Sequence, residues 1–249
     1  MSEVLGLAHL RGKKRSQYVT RMFARIARRY DLLNSVMSGG RHHSWRRMAV
    51  EMGNPGLEGP ALDVAAGTGD FALEIARNNW ATEVMALDNT LEMLAVATNK
   101  ARRRGLLNRL RVVSGDAHLL PFAGDRFVCV TVGFGVRNFV DVPQALREMT
   151  RVVRPGGRVV ILDIFRLEGR GLLNRLFPVY FRTVTPWVGG LLAGDREAYA
   201  YLPKSVETFL SADELVAMME DAGLEQVHYR RLALGSVAIH VGRKPAPDG

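Results

Sequence analysis

The run Ala61-Leu62-Asp63-Val64-Ala65-Ala66-Gly67-Thr68-Gly69-Asp70 constrains this chain more than any other. Apolar residues lead up to Val64, two glycines follow at a spacing of two, and Asp70 opens an amphipathic segment. Glycine reaches the left-handed backbone region that a sharp reversal demands, so the run reads as a strand turning directly into a helix. The rhythm then repeats. Strands are predicted at Ala61–Ala65, Glu83–Asp88, Arg111–Ser114, Phe127–Gly133 and Arg158–Asp163, with helices at Asp70–Asn78, Leu91–Arg104 and Val142–Val152. Strands separated by helical segments of about 10–15 residues build a parallel sheet with helices on both faces.

The flanks follow other patterns. Residues 1–17 are basic and poor in core-type side chains, which predicts a flexible tail. From Tyr18 to Tyr30, Met22, Phe23, Ile26, Ala27 and Tyr30 recur at helical spacing with Arg21, Arg25, Arg28 and Arg29 between them, the pattern of an amphipathic basic helix. A short helix over Ser44–Met52 and the Gly53–Gly59 stretch complete an N-terminal helical segment, 18–59, expected to lie over the binding face of the core at 60–163. Residues 164–210 are rich in large apolar side chains (Leu172, Leu176, Tyr180, Phe181, Trp187) in helical patterns, and read as a cap inserted after the fifth strand. Ser211 and Glu214 form a capping box for a helix ending near Gly223. Alternating runs at Gln226–Leu232 and Ser236–Gly242 predict a terminal antiparallel hairpin, so 211–244 completes the core. The expected fold is α/β and Rossmann-like: a seven-stranded, mainly parallel sheet with an antiparallel C-terminal hairpin and a helical cap.

Charge is unevenly placed. Residues 1–50 carry eleven Lys/Arg against only Glu3 and Asp31, whereas the remainder carries equal numbers of each sign. A basic arm suits nucleic acid, an anionic membrane surface or a phosphate-bearing partner. No apolar run approaches the ~20 residues of a membrane span, and no signal-type segment opens the chain, so a cytoplasmic protein is expected. The single cysteine, Cys129, sits in a strand-like run, excludes a disulfide scaffold and reads as a small core residue.

The loop alone fits two ligands. Gly67, Gly69 and Ala72 satisfy the G-x-G-x-x-A form of dinucleotide sites, and the same turn serves S-adenosylmethionine. Three aspartates at successive strand ends favour the second. Asp63 offers a carboxylate to a cationic amino acid moiety, Asp88 suits both ribose hydroxyls, and Asp116 suits an adenine amino group. Taken singly, each is also an ordinary helix cap.

The chain resembles the ubiquinone/menaquinone biosynthesis C-methyltransferases, the UbiE type, over about residues 18–244. The segments that carry the resemblance are Met22–Asn34, Asp63–Asp70, Gly115–Phe122, Gly133–Asn138, Ala145–Gly157, Tyr201–Ser205 and Val237–Gly242. The glycine motif is shared by many methyltransferases, while the first segment, Gly133–Asn138 and the last two are more specific. The resemblance implies a class I S-adenosylmethionine-dependent methyltransferase acting on a ring carbon of a demethylated polyprenyl quinol. Thr68, Asp88, Asp116 and Ala117 match the family's cofactor-contact positions. Some members, notably on the ubiquinone side, have Ser at the position of Gly133, so glycine there points to demethylmenaquinol rather than a 2-polyprenyl-methoxy-benzoquinol.

For such a reaction Arg137 is the expected quinol-recognising and phenolate-stabilising group, with Asn138 orienting a water. An arginine is a poor base and works by lowering the hydroxyl pKa. His240 suits a general base by its ordinary pKa, or is structural in its terminal strand. Tyr30, Tyr201 and Asp163 are candidate acceptor-pocket residues, with aromatic packing or capping as the alternatives. His42, His43 and His118 lack convincing ligand spacing, so no metal is expected. An isoprenoid substrate brings the protein to the inner face of the cytoplasmic membrane, where the basic helix and the apolar cap would make peripheral contact. Nucleic acid is not an expected partner, and a homodimer is compatible with the chain. Two rivals share the core: an RNA methyltransferase, against which stands the lack of an RNA-binding module, and a noncatalytic scaffold, which would not need the three aspartates.

Overall fold

The computed structural model describes residues 12–78, 80–166, 201 and 204–246. Three helices come first: α1 (Lys13–Ile26), α2 (Tyr30–Ser38) and α3 (Arg41–Met52). The core follows as β1 (Gly59–Val64), α4 (Asp70–Ala76), β2 (Ala81–Asp88), α5 (Leu91–Arg103), β3 (Leu110–Ser114), β4 (Phe127–Gly133), α6 (Val142–Val152) and β5 (Val153–Ile164). After the segment outside the described residues come α7 (Ala212–Asp221), β6 (Glu225–Leu232) and β7 (Val237–Arg243). The strands form one seven-stranded sheet in the order β3-β2-β1-β4-β5-β7-β6. β1 to β5 pair in parallel, and β7 runs antiparallel to both β5 and β6.

The central parallel strands β1, β4 and β5 are buried on both faces, whereas the edge strands β3 and β6 are largely exposed. Phe127, Val128, Cys129 and Val130 of β4 are wholly buried. One face packs against α6 and α7 through Leu146, Met149, Leu215 and Met219, and the other against α3 and α4 through Ala49, Val50, Phe71 and Ile75. Local side-chain caps set the starts of two helices, α6 and α7. Asp141 accepts the Gln144 N–H at 2.9 Å ahead of α6. Ahead of α7, Ser211 Oγ accepts the Glu214 N–H at 3.2 Å while Glu214 accepts the Ser211 N–H at 2.7 Å, the predicted capping box.

The N-terminal segment differs most from expectation. α1 begins at Lys13, inside the predicted tail, and stops at Ile26, four residues short of Tyr30. α2 has no counterpart among the predicted elements, because Tyr30–Ser38 lacks a side-chain N-cap and continues the apolar periodicity of α1. A turn at 27–29 separates it from α1, Asp31 in its first turn is bonded to Thr68 and Lys100, and Gly39 and Gly40, at φ 58° and 75°, end it. α1 and α2 form a separate apolar cluster in which Val19, Met22, Ile26 and Leu33 pack with Met93 of α5 and with Tyr201. Residues 1–11 of the predicted tail at 1–17, and 167–200, 202 and 203 of the predicted cap at 164–210, lie outside the described residues.

Candidate active site

A cleft of about 760 Å³, open mouth included, lies at the carboxyl ends of β1 to β4. That is where open α/β sheets bind ligands, beside the point where strand order reverses. The core contributes Gly67, Asp88, Asp116, Ala117, Gly133 and Asn138 to its wall, and the N-terminal helices contribute Ser16, Val19, Phe23 and Tyr30.

The glycine loop is built as the sequence requires. Gly67 and Gly69 have φ of 55° and 78°. A Cβ on Gly69 would come within 2.8 Å of Ala97, so that glycine also allows α5 to pack closely, whereas one on Gly67 would meet nothing within 4 Å. Asp88 holds the loop from β2: its carboxylate accepts the Gly67 N–H at 2.8 Å and the Thr90 N–H at 2.8 Å. Burial raises its pKa against those hydrogen bonds.

Asp63 and Thr68 stand elsewhere than a direct ligand contact requires. Asp63 is 1% exposed and sits beneath the loop, accepting the Ala72 N–H at 3.0 Å and the Thr131 hydroxyl at 2.8 Å. Burial pushes its pKa up to about 7. The Thr68 hydroxyl donates to Asp31 of α2 at 2.5 Å. Neither side chain is part of the cleft wall.

Asp116 meets the cleft at its rim. Its carboxylate accepts from His118 twice, from the backbone N–H at 2.9 Å and from Nδ1 at 2.6 Å. Partial burial opposes the charge, but these donations win and hold the carboxyl below its ordinary range. The Asp141 N–H donates to His118 Nε2 at 3.2 Å, which leaves Nδ1 to carry the ring proton toward Asp116.

Arg137 lies in a 3-10 turn (Val136–Asn138) just after β4. Its guanidinium is buried, donating to Asp163 at 2.6 Å and to the Phe134 carbonyl at 2.7 Å. Burial opposes its charge, yet Asp163, then Tyr30 and Tyr201, outweigh that and raise its pKa. Asp163 is wholly buried and neutralises Arg137, so its carboxylate faces the arginine. The Tyr201 hydroxyl donates to Asn138 Oδ1 at 3.0 Å. Of these, Asn138 and Tyr30 line the cleft, whereas Arg137, Asp163 and Tyr201 are buried and are not part of its wall. His240 does not join them. It is wholly buried on β7 between the rings of Phe165 and Tyr229, and its Nε2 donates to the Ala212 carbonyl at 2.9 Å. Burial pulls its pKa down to about 4.

Lys100, Asp31, Asp70, Arg46 and His42 form a polar cluster that motif reading did not reveal. Its members are scattered over four helices, and only the fold assembles them. His42, His43 and Asp70 bring ligand atoms within 4.8 Å of one another, but Arg46 donates to His42 Nδ1 and Lys100 to Asp70. Those atoms already face fixed cations.

Residues 11–244 match the ubiE/COQ5 methyltransferase family. The chain is 45% identical to the demethylmenaquinone methyltransferase of Thermus thermophilus, over 90% of this chain and all of that one. It is 36% identical to the ubiquinone/menaquinone biosynthesis C-methyltransferase UbiE of Pseudomonas putida, over 93% of this chain and 91% of that one. Among solved structures, the [4+2]-cyclase SpnF shares the fold at a TM-score of 0.68 and 19% identity, over 93% of this chain and 96% of that one. With the strand order, the glycine loop and the cleft in place, the chain belongs to the ubiE/COQ5 methyltransferase family.

Proposed function

We propose that this methyltransferase uses S-adenosylmethionine to methylate a ring carbon of a demethylated polyprenyl quinol, converting demethylmenaquinol to menaquinol. The observation that carries the reading is that Asp88, Asp116, Asn138 and Tyr30 line one cleft. The 45% identity to a demethylmenaquinone methyltransferase supports the choice of quinol.

The residues present fit the donor. Gly67 leaves space above the loop, Asp88 offers acceptors to ribose hydroxyls, and Asp116 with Ala117 suits the adenine. Asp63 and Thr68 act on it through the loop they brace. When bound, the donor supplies an electrophilic methyl group on a sulfonium centre. The protein's task is to orient the ring, exclude water and help a quinol proton leave, since the phenolate places charge on the ortho carbon. Arg137, held by Asp163 behind the wall that Asn138 and Phe134 form, lowers the hydroxyl pKa through its positive charge rather than by direct contact. Asn138, steadied by Tyr201, orients the water that carries the proton away.

The quinol's isoprenoid tail brings the enzyme to a membrane surface. α1 presents Lys14, Arg21 and Arg25 on its exposed face, which suits anionic headgroups at about 1 kcal/mol per basic residue. Among the described residues no helix is long and apolar enough to cross a membrane.

The test is methyl transfer from labelled S-adenosylmethionine to reduced demethylmenaquinone, beside a demethoxylated ubiquinone precursor. Label in the first is expected; label in neither overturns the activity, and label in the second alone overturns the choice of quinol. Replacing Arg137 alone would strand the buried Asp163 charge, so the informative variant is Arg137→Ala with Asp163→Asn. Its turnover should fall by about a hundredfold while donor affinity holds within about threefold. Loss of donor binding in a folded protein would contradict the role given to Arg137.

A further inference from the structure

Lys100 carries a buried ammonium, and its partners come from three other parts of the chain. It lies on α5 with its residue only 6% exposed. Its Nζ donates to Asp31 Oδ2 of α2 at 2.7 Å, to Asp70 at the start of α4, and to the Thr68 hydroxyl of the glycine loop at 3.4 Å. Thr68 in turn donates to the other oxygen of Asp31 at 2.5 Å. Taking charges out of water costs several kcal/mol per ion before pairing repays it, and well-packed apolar residues often do as well or better. Stability alone is therefore a weak account of this cluster. What the charges add is direction. The apolar contact of α1 and α2 with Met93 attracts without fixing a register, whereas hydrogen bonds to an ammonium specify position.

The residues held in this way, Asp31 and Thr68, touch each other, and the residue before each lines the cleft. Asp31 directly follows Tyr30, which lines the cleft from the helical side, and Thr68 directly follows Gly67, which lines it from the core. The cluster is also asymmetric. The side chains of Lys100 and Asp70 are each 7% exposed, while that of Asp31 is 39% exposed. The Asp31 half can return to water while Lys100 keeps Asp70.

We propose that Lys100 is a positioning residue that clasps the N-terminal helices over the cleft. By holding Asp31 it fixes Tyr30 and the α1–α2 wall against the glycine loop, and so retains the methyl donor and aligns the acceptor ring. This rests on the reading of the cleft as the donor site. Opening the clasp at Asp31 releases one wall without unfolding the core.

The test is Asp31→Asn in the full chain, which removes the charge of the exposed member and leaves Lys100 paired with Asp70. S-adenosylhomocysteine should dissociate about tenfold faster, the scale of one charge-assisted hydrogen bond. Amide exchange should quicken in α1 and α2 but not in β1 to β5, and the KM for demethylmenaquinol should rise more than kcat falls. Asp31→Glu, which keeps the charge, should restore the dissociation rate to within about threefold. Unchanged dissociation, or faster exchange without faster dissociation, would overturn the clasp, and so would Asp31→Glu behaving like Asp31→Asn. Asp88→Asn separates the two claims. If it leaves S-adenosylhomocysteine binding intact, the donor-site reading fails; if it weakens binding while Asp31→Asn changes nothing, only the clasp fails.

Discussion

Asp63 and His240 show how far a residue's role depends on what surrounds it. Both are ionisable, and both are legible in the sequence as chemistry-bearing groups. Burial turns each against its charge. Asp63 has a folded pKa of about 7 against 3.8 for a free aspartate side chain, so the folded state holds a proton that the unfolded state has lost. Its contribution to stability is present below pH 3.8 and is lost as pH rises through 7. Asp63→Asn keeps an acceptor for Ala72 and can donate to Thr131, and should therefore gain on the parent in urea unfolding at pH 8 compared with pH 5. An equal difference at both pH values would refute a raised pKa. His240 has the opposite sign. Below pH 6.5 the unfolded imidazole takes a proton that the folded one refuses until about pH 4, so stability falls on acidification through that window. His240→Phe loses the Ala212 hydrogen bond but should flatten the acid limb by at most about 1.4 kcal/mol per pH unit. His42, also lowered to about 4 by burial, leaves part of the slope in place.

Among the elements, those fixed by local chemistry are the ones the sequence disclosed. α6 runs from Val142 to Val152 as predicted, with Asp141 as its cap, and the Ser211–Glu214 box sits at the start of α7. Ser211→Ala should cost about 1 kcal/mol in denaturant unfolding, the usual value of such a cap. β5 is longer than Arg158–Asp163 because Val153 pairs with Phe127, and the register shifts before the pairing of Cys129 with Arg158. Pro155-Gly156-Gly157 lies within that irregularity rather than before the strand. Gly133 is an element-scale constraint. A Cβ there would fall 2.7 Å from the Phe71 ring of α4, so the residue that suggested a menaquinone-type substrate also lets α4 close on β4. Gly133→Ser should destabilise by about 1–3 kcal/mol through overpacking. Pairing it with Phe71→Leu should recover part of the loss, and no recovery would place the cost elsewhere.

At the scale of the whole molecule, the excess positive charge and the cleft belong to one assembly. α1 carries basic residues outward and Val19 and Phe23 toward the cleft, so one helix has both an exposed basic face and a share in the cleft wall. Binding to vesicles rich in anionic lipid should weaken steeply between about 50 and 300 mM salt, and neutral vesicles should bind poorly at any salt, if the arm acts by charge. Salt-independent sedimentation would point to the apolar face instead. The sequence by itself determined the alternation of strands and helices, the glycine loop and the carboxylates at successive strand ends, because period, capping and turn chemistry are local properties. Only the tertiary structure decided which of those carboxylates line the cleft. Asp63 lies under the loop, Thr68 faces Asp31 rather than the cleft, His240 is sealed in the core, and Lys100 joins helices far apart in the chain. Those outcomes depend on burial and on neighbours that folding alone brings together, and neither is written in the spacing of residues along the chain.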